Sequence, residues 1–127
     1  MTQQQKRALI DRYLDAYNSF DVDAMMTTLH PEVEFENVSE GQVNAAASGA
    51  SEFRQMAEQA KTLFTARRQI VTAFDDDGDG ASIAVAYEGV LALDLPNGMR
   101  AGQRLKLDGR SEFAFKDGRI SRIVDYS

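Results

Sequence analysis

The sequence predicts an α+β fold, an antiparallel or mixed sheet with helices on one face. Three observations carry this prediction. Segments of helical and of strand periodicity are segregated in the order helix, helix, strand, helix and then four strands, unlike the regular alternation of a parallel βαβ sheet. The stretch from Gln103 to Ser127 alternates as a β-hairpin, with Leu105, Leu107, Gly109, Ser111, Phe113 and Phe115 on one face and Arg104, Lys106, Asp108, Arg110, Glu112 and Lys116 on the other. The strand before it, Ala81 to Leu95, is apolar on both faces: Ile83, Val85, Tyr87, Leu91 and Leu93 share one, and Ala84, Ala86, Val90 and Ala92 share the other. Helices cover only one of those faces, so a second copy of the chain, in a homodimer, is the expected cover for the other.

Taken in order, the chain opens with a helix from about Gln3 to Phe20, because Leu9, Ile10, Tyr13, Leu14, Tyr17 and Phe20 recur at three- and four-residue steps, with Lys6, Arg7, Asp11, Arg12 and Asp15 expected outside. Asp21 can cap a second, short helix through Ala24, Met25, Met26 and Leu29, which His30-Pro31 should close. Glu32 to Val38 alternates as a strand that carries Val33, Phe35 and Asn37 on one side. Ser39 to Ser48 lacks periodicity and reads as a mobile connection, either a surface loop or a lid. A third helix from about Ser51 to Thr65 presents Phe53, Met56, Ala57, Ala60, Leu63 and Phe64 on one face. Strands then run from Arg67 to Asp75, Ala81 to Leu95, Gln103 to Lys116 and Arg119 to Tyr126, with turn signals at Asn97-Gly98 and Asp117-Gly118.

Composition narrows the function. With 127 residues the chain is expected to form one domain over its whole length. No window approaches the apolar run of about 18 residues that a membrane span needs, and the amino terminus lacks the apolar core of a secretory signal, so a cytoplasmic protein is the default. Without cysteine there is neither a disulfide nor a thiol nucleophile, and zinc sites are disfavoured. A net charge of −6 repels nucleic acid and anionic membranes. Asp75-Asp76-Asp77-Gly78-Asp79-Gly80 resembles half of a calcium loop, but Ala86 stands where the bidentate glutamate belongs, so an acidic hairpin turn is the better reading and no metal is expected. His30 is the only histidine, its place before Pro31 suits a helix end, and no serine sits in a nucleophile-elbow motif.

The helix Asp11-Arg12-Tyr13-Leu14-Asp15-Ala16-Tyr17-Asn18 running into Phe20-Asp21-Val22-Asp23-Ala24, the strand Pro31-Glu32-Val33-Glu34-Phe35 and the ending Phe113-Ala114-Phe115-Lys116-Asp117-Gly118-Arg119-Ile120 resemble the nuclear transport factor 2-like superfamily, in its ketosteroid isomerase-like and SnoaL-like polyketide cyclase branch. The resemblance implies a curved sheet wrapped around three N-terminal helices into a cone with an apolar pocket. It places Tyr13 at the oxyanion tyrosine of ketosteroid isomerases, but Asn37 stands at the aspartate base and Ser111 at the protonated aspartate, so steroid isomerisation by that set of residues is not expected. SnoaL-like cyclases carry an acidic residue on the last strand, which Asp125 matches. The resemblance turns Ile123 and Asp125 into the pocket, whereas strand parity leaves either orientation open, including an exposed carboxylate paired with Arg119 or Arg122.

An inward Asp125 would act as a general base, with Tyr13, Asn37 and Ser111 as candidate catalytic hydrogen-bond donors. Tyr17, Phe35, Phe53, Met56, Tyr87, Phe113 and Ile123 are expected to line the pocket for a small apolar molecule, polyketide-, terpenoid- or steroid-like, with no cofactor. The competing expectation is a non-catalytic ligand sensor or dimerising adaptor of the same fold.

Overall fold

A computed structural model describes every residue from Met1 to Ser127. Its elements are α1 (Gln3–Asn18), α2 (Val22–Thr27), β1 (Leu29–Ser39), β2 (Gln42–Ser48), α3 (Ala50–Lys61), β3 (Phe64–Asp76), β4 (Gly80–Leu91), β5 (Arg104–Lys116) and β6 (Arg119–Tyr126). Thr2 and Gln5 open α1 with a capping box, in which the Thr2 hydroxyl accepts from the Gln5 N–H and the Gln5 side chain accepts from the Thr2 N–H. The helix stops before the expected Phe20, because Phe20 turns the chain at φ 58°, outside the helical region. Asp21 caps α2 as expected, but α2 ends at Thr27. His30 and Pro31 belong instead to β1, at a register shift between Leu29 and Glu34, where a missing proline N–H is tolerated.

The six strands form one curved, unclosed sheet in the order β2-β1-β6-β5-β4-β3. Every neighbouring pair is antiparallel except β1 and β6, so the sheet is mixed. That parallel pair needs a long crossover, which the chain from β2 to β5 supplies.

Residues 39–48 correct the expectation of a mobile connection. Gln42–Ser48 is a strand paired with β1, entered through a tight turn in which Glu40 and Gly41 both have positive φ, 54° and 77°. Val43, Ala45 and Ala47 share one parity, but Ala46 between them breaks the polar alternation, and alanine gives little contrast against asparagine and serine. β4 also ends sooner than expected. Beyond Leu91 the Ala92 N–H bonds to the Leu63 carbonyl rather than to a strand partner, and Leu93 is 41% exposed. The two expected turns are present: Gly98 has φ 92°, and Asp117 and Gly118 have φ 54° and 74° between β5 and β6.

α1 packs on β3, and α3 packs on β1 and β2. At the centre Phe53 meets Tyr13 and Phe35 edge to face, with ring centroids 6.4 and 5.7 Å apart, and Tyr13 meets Phe113 at 6.4 Å. Lys6, expected outside, is 3% exposed. Its ammonium donates to the Asp76 carboxylate at 2.8 Å and to the carbonyls of Gly78 and Gly80, so a helix cation ties down the acidic β3–β4 turn.

Candidate active site

Strand register assembles the site. Asn37 on β1 is opposite Asp125 on β6, Asp125 is opposite Ser111 on β5, and Ser111 is opposite Ile83 on β4. Residues opposite one another share a face of the sheet, and Ile83 is a core residue, so the row faces the helices. The helices leave one end of that concave face uncovered. There the structure holds a cavity of about 280 Å³, walled by Tyr17, Asn37, Tyr87, Ser111 and Asp125 among its polar residues and by Phe64, Val85, Leu105 and Leu107 among its apolar ones. This divides the apolar face of the β5–β6 hairpin in two. Phe113 is buried under the helices, whereas Leu107 stands at the cavity mouth, 49% exposed. Gly109 lines the wall between them, and a Cβ there would meet the Tyr126 carbonyl oxygen at 2.8 Å.

Asp125 has two unlike oxygens. Oδ1 accepts a 2.6 Å hydrogen bond from the Ser111 hydroxyl, whereas Oδ2 has no hydrogen-bond partner, and neither Arg119 nor Arg122 pairs with the carboxylate. Burial pushes its pKa up to about 6, against the opposing pull of the Ser111 hydrogen bond. Asn37 donates through Nδ2 to the Asn44 side-chain oxygen at 2.7 Å. Farther along the wall the hydroxyls of Tyr17 and Tyr87 lie 3.1 Å apart. Burial raises the pKa of both.

Of the residues singled out in the sequence, Asn37, Ser111, Asp125, Tyr17 and Tyr87 meet at this cavity. Tyr13, Phe35, Phe53, Phe113 and Ile123 do not line it. They fill the core behind it, and Met56 packs against that core, because aromatic rings in mutual contact under the helices leave no void there. Tyr13 is still close enough to Asp125 for the carboxylate charge to add to burial in raising its pKa well above the ordinary tyrosine value. Sequence reasoning missed Gln69, Leu105, Leu107 and Gly109 on the wall, although the parity of Ser111 already put the last three on its face. It also missed Arg67, which nothing in the local pattern marks as buried.

With this geometry in view, the comparisons with known proteins identify the family. The family model for the SnoaL-like domain matches residues 10–123. The chain belongs to the SnoaL-like domain family. That family lies within the nuclear transport factor 2-like superfamily, as the resemblance implied. A protein of Xanthomonas campestris provisionally named a polyketide cyclase is similar in structure, with TM-score 0.80, 25% identity and coverage of 98% of this chain and 91% of its own. TsrD from Streptomyces laurentii superposes with TM-score 0.81 at 19% identity, covering 98% of this chain and 89% of its own. A second provisional polyketide cyclase, from a Silicibacter species, gives TM-score 0.76 at 24% identity over 99% of this chain and 90% of its own. No curated protein sequence matches the chain. No helix is long and apolar enough to cross a membrane.

Proposed function

We propose that this SnoaL-like domain binds a small, largely apolar molecule, polyketide-, terpenoid- or steroid-like, and moves a proton on it by acid–base chemistry of the isomerase or cyclase type. The observation that carries this reading is Asp125, a carboxylate on a cavity wall with one oxygen tied to Ser111, the other free, and a pKa of about 6. A base titrating near neutrality is ionised enough to take a proton and acidic enough to return it. Oδ2 would abstract a proton next to a substrate carbonyl, forming an enolate, and would deliver it to a second carbon. Such a shift is redox-neutral and needs no cofactor.

The donors differ from those expected. The Ser111 proton is already held by Asp125, which makes Ser111 a positioning residue, and Tyr13 lies in the core behind the carboxylate, off the cavity wall. Asn37, in register with Asp125, remains on the wall to stabilise the enolate oxygen, and the Tyr17–Tyr87 pair lines the wall farther along. Carboxyl-carbon NMR of Asp125, with and without the bicyclic ketone 2-tetralone, tests the reading. A pKa near 6 that moves with ligand is expected, together with deuterium exchange into 2-tetralone that Asp125→Asn slows at least a hundredfold. A pKa near the ordinary aspartate value of 3.8, unmoved by ligand, would remove the base. Binding without exchange would favour the non-catalytic sensor.

The homodimer belongs to the same proposal. The sheet face turned away from the helices carries Ala73, Ala84, Ala86, Val90 and Ile70, the last 38% exposed. Sedimentation should give a dimer that Ala86→Glu converts to monomer. An unchanged mass would leave that face without this role.

A further inference from the structure

Arg67 is the one guanidinium in the core, 5% exposed. It lies over the Tyr17 ring at 3.7 Å and over the Phe20 ring at 4.7 Å, and its Nε donates to the Tyr17 carbonyl at 3.0 Å. No carboxylate lies within ion-pair distance, and its buried Nη2 has no hydrogen-bond partner at all. A buried cation without a counter-charge is costly, and the rings repay only part of that cost. Its positive field falls on the cavity. It opposes the effect of burial on Tyr17 and Tyr87, whose hydroxyls line the wall. Those two hydroxyls hold two protons and use one in the bond between them, so one stays free to donate into the cavity. Either hydroxyl can donate within the pair, but Arg67 rests on Tyr17 and so favours Tyr17 as the donor, which leaves the Tyr87 proton to be presented to a ligand. Tyr87 lies four residues along β4 from Ile83, the residue in row with Ser111 and Asp125, or ~13 Å at the usual strand rise. The tyrosine pair and the carboxylate therefore stand at different levels of the wall, and the Asp125 charge opposes that of Arg67 at Tyr17.

We propose that Arg67 is a positioning residue for an oxyanion: its unmatched charge acts through Tyr17 and Tyr87, so that the cavity selects a ligand whose oxygen at the tyrosine end is negative, such as a phenolate or the enolate of a 1,3-dicarbonyl compound. The proposal rests on the small-molecule pocket described above and adds to it the charge and orientation of the occupant. Asp125 then meets the carbon end of the ligand.

The test is 4-nitrophenol, whose absorbance reports its ionisation, bound to the full chain carrying Asp125→Asn so that the neighbouring carboxylate charge does not enter. The bound phenol should ionise at lower pH than the free phenol. Adding Arg67→Met should raise the bound pKa by at least one unit, a tenfold loss of phenolate affinity with the neutral phenol unaffected, and Arg67→Lys should restore part of it. Tyr87→Phe should produce the same selective loss, which covers the case in which Arg67→Met does not fold. A bound pKa at or above the free value, or equal phenolate affinity with and without the arginine, would overturn this proposal and leave the pocket standing. Failure of 4-nitrophenol to bind in either ionisation state would overturn the pocket reading as well.

Discussion

Asp125 titrates on a balance between burial, which favours its neutral form, and one hydrogen bond, which favours its charged form. Removing the bond should tip that balance, so Ser111→Ala is expected to raise the Asp125 pKa above 6 in a carboxyl NMR titration, and a fall would contradict the assignment. The same shift links to stability. The pKa rises from its ordinary 3.8 to about 6 on folding, so the contribution of Asp125 is fully present below about pH 4 and is lost as pH rises through 6. At about 1.4 kcal/mol per pH unit the loss reaches about 3 kcal/mol. Asp125→Asn should therefore stabilise the protein by up to about that amount at pH 8 and make little difference at pH 3.5, as read by denaturant unfolding at both values. The orientation of Asp125 was not legible in the sequence, because Ile120, Val124 and Tyr126 of the same strand carry the opposite parity and are as apolar as Ile123.

Among the elements, α1 shows how a spacing can be right and an assignment wrong. Lys6 is three residues before Leu9 and four before Ile10, which puts it on the buried stripe, and only its charge sent it outside. The partner that permits its burial is the acidic turn some 70 residues later in the chain. Lys6→Met keeps the aliphatic stem and removes the ammonium. It is expected to lower Tm and to speed hydrogen exchange across Asp76–Gly80, and unchanged exchange there would show that the turn holds itself. The resemblance of this turn to half a calcium loop has a structural counterpart, since oxygens of Asp76, Gly78 and Gly80 do converge on a cation, but that cation is the lysine. β2 was missed for a different reason. Its three alanines bury too little area to stand out, and what makes it a strand is the edge of β1 beside it.

At the scale of the whole molecule, the cavity comes from a mismatch in length. The strands outrun the helices, so one concave face is part core and part cavity, and Leu107 stays exposed although it shares a face with Phe113. On the proposed function, a residue in that position contributes to ligand binding more than to folding. Leu107→Asn is expected to leave the unfolding free energy within about 0.5 kcal/mol of wild type while weakening 2-tetralone binding at least tenfold. Equal binding would move the ligand away from this mouth.

By itself the sequence determined the class of the fold, the order of its elements apart from β2, the hairpin turns at Gly98 and Gly118 and the apolar faces, because each is written in local periodicity and in residues that accept positive φ. Its resemblance also pointed to the family. The tertiary structure alone decided what those faces meet. Strand register brought Asn37, Asp125 and Ser111 into one row, the reach of the helices separated core from cavity, and burial set the charge balance of Asp125 and enclosed the Lys6 and Arg67 side chains. These outcomes depend on contacts between residues far apart in the chain, and no local pattern encodes the distance between them.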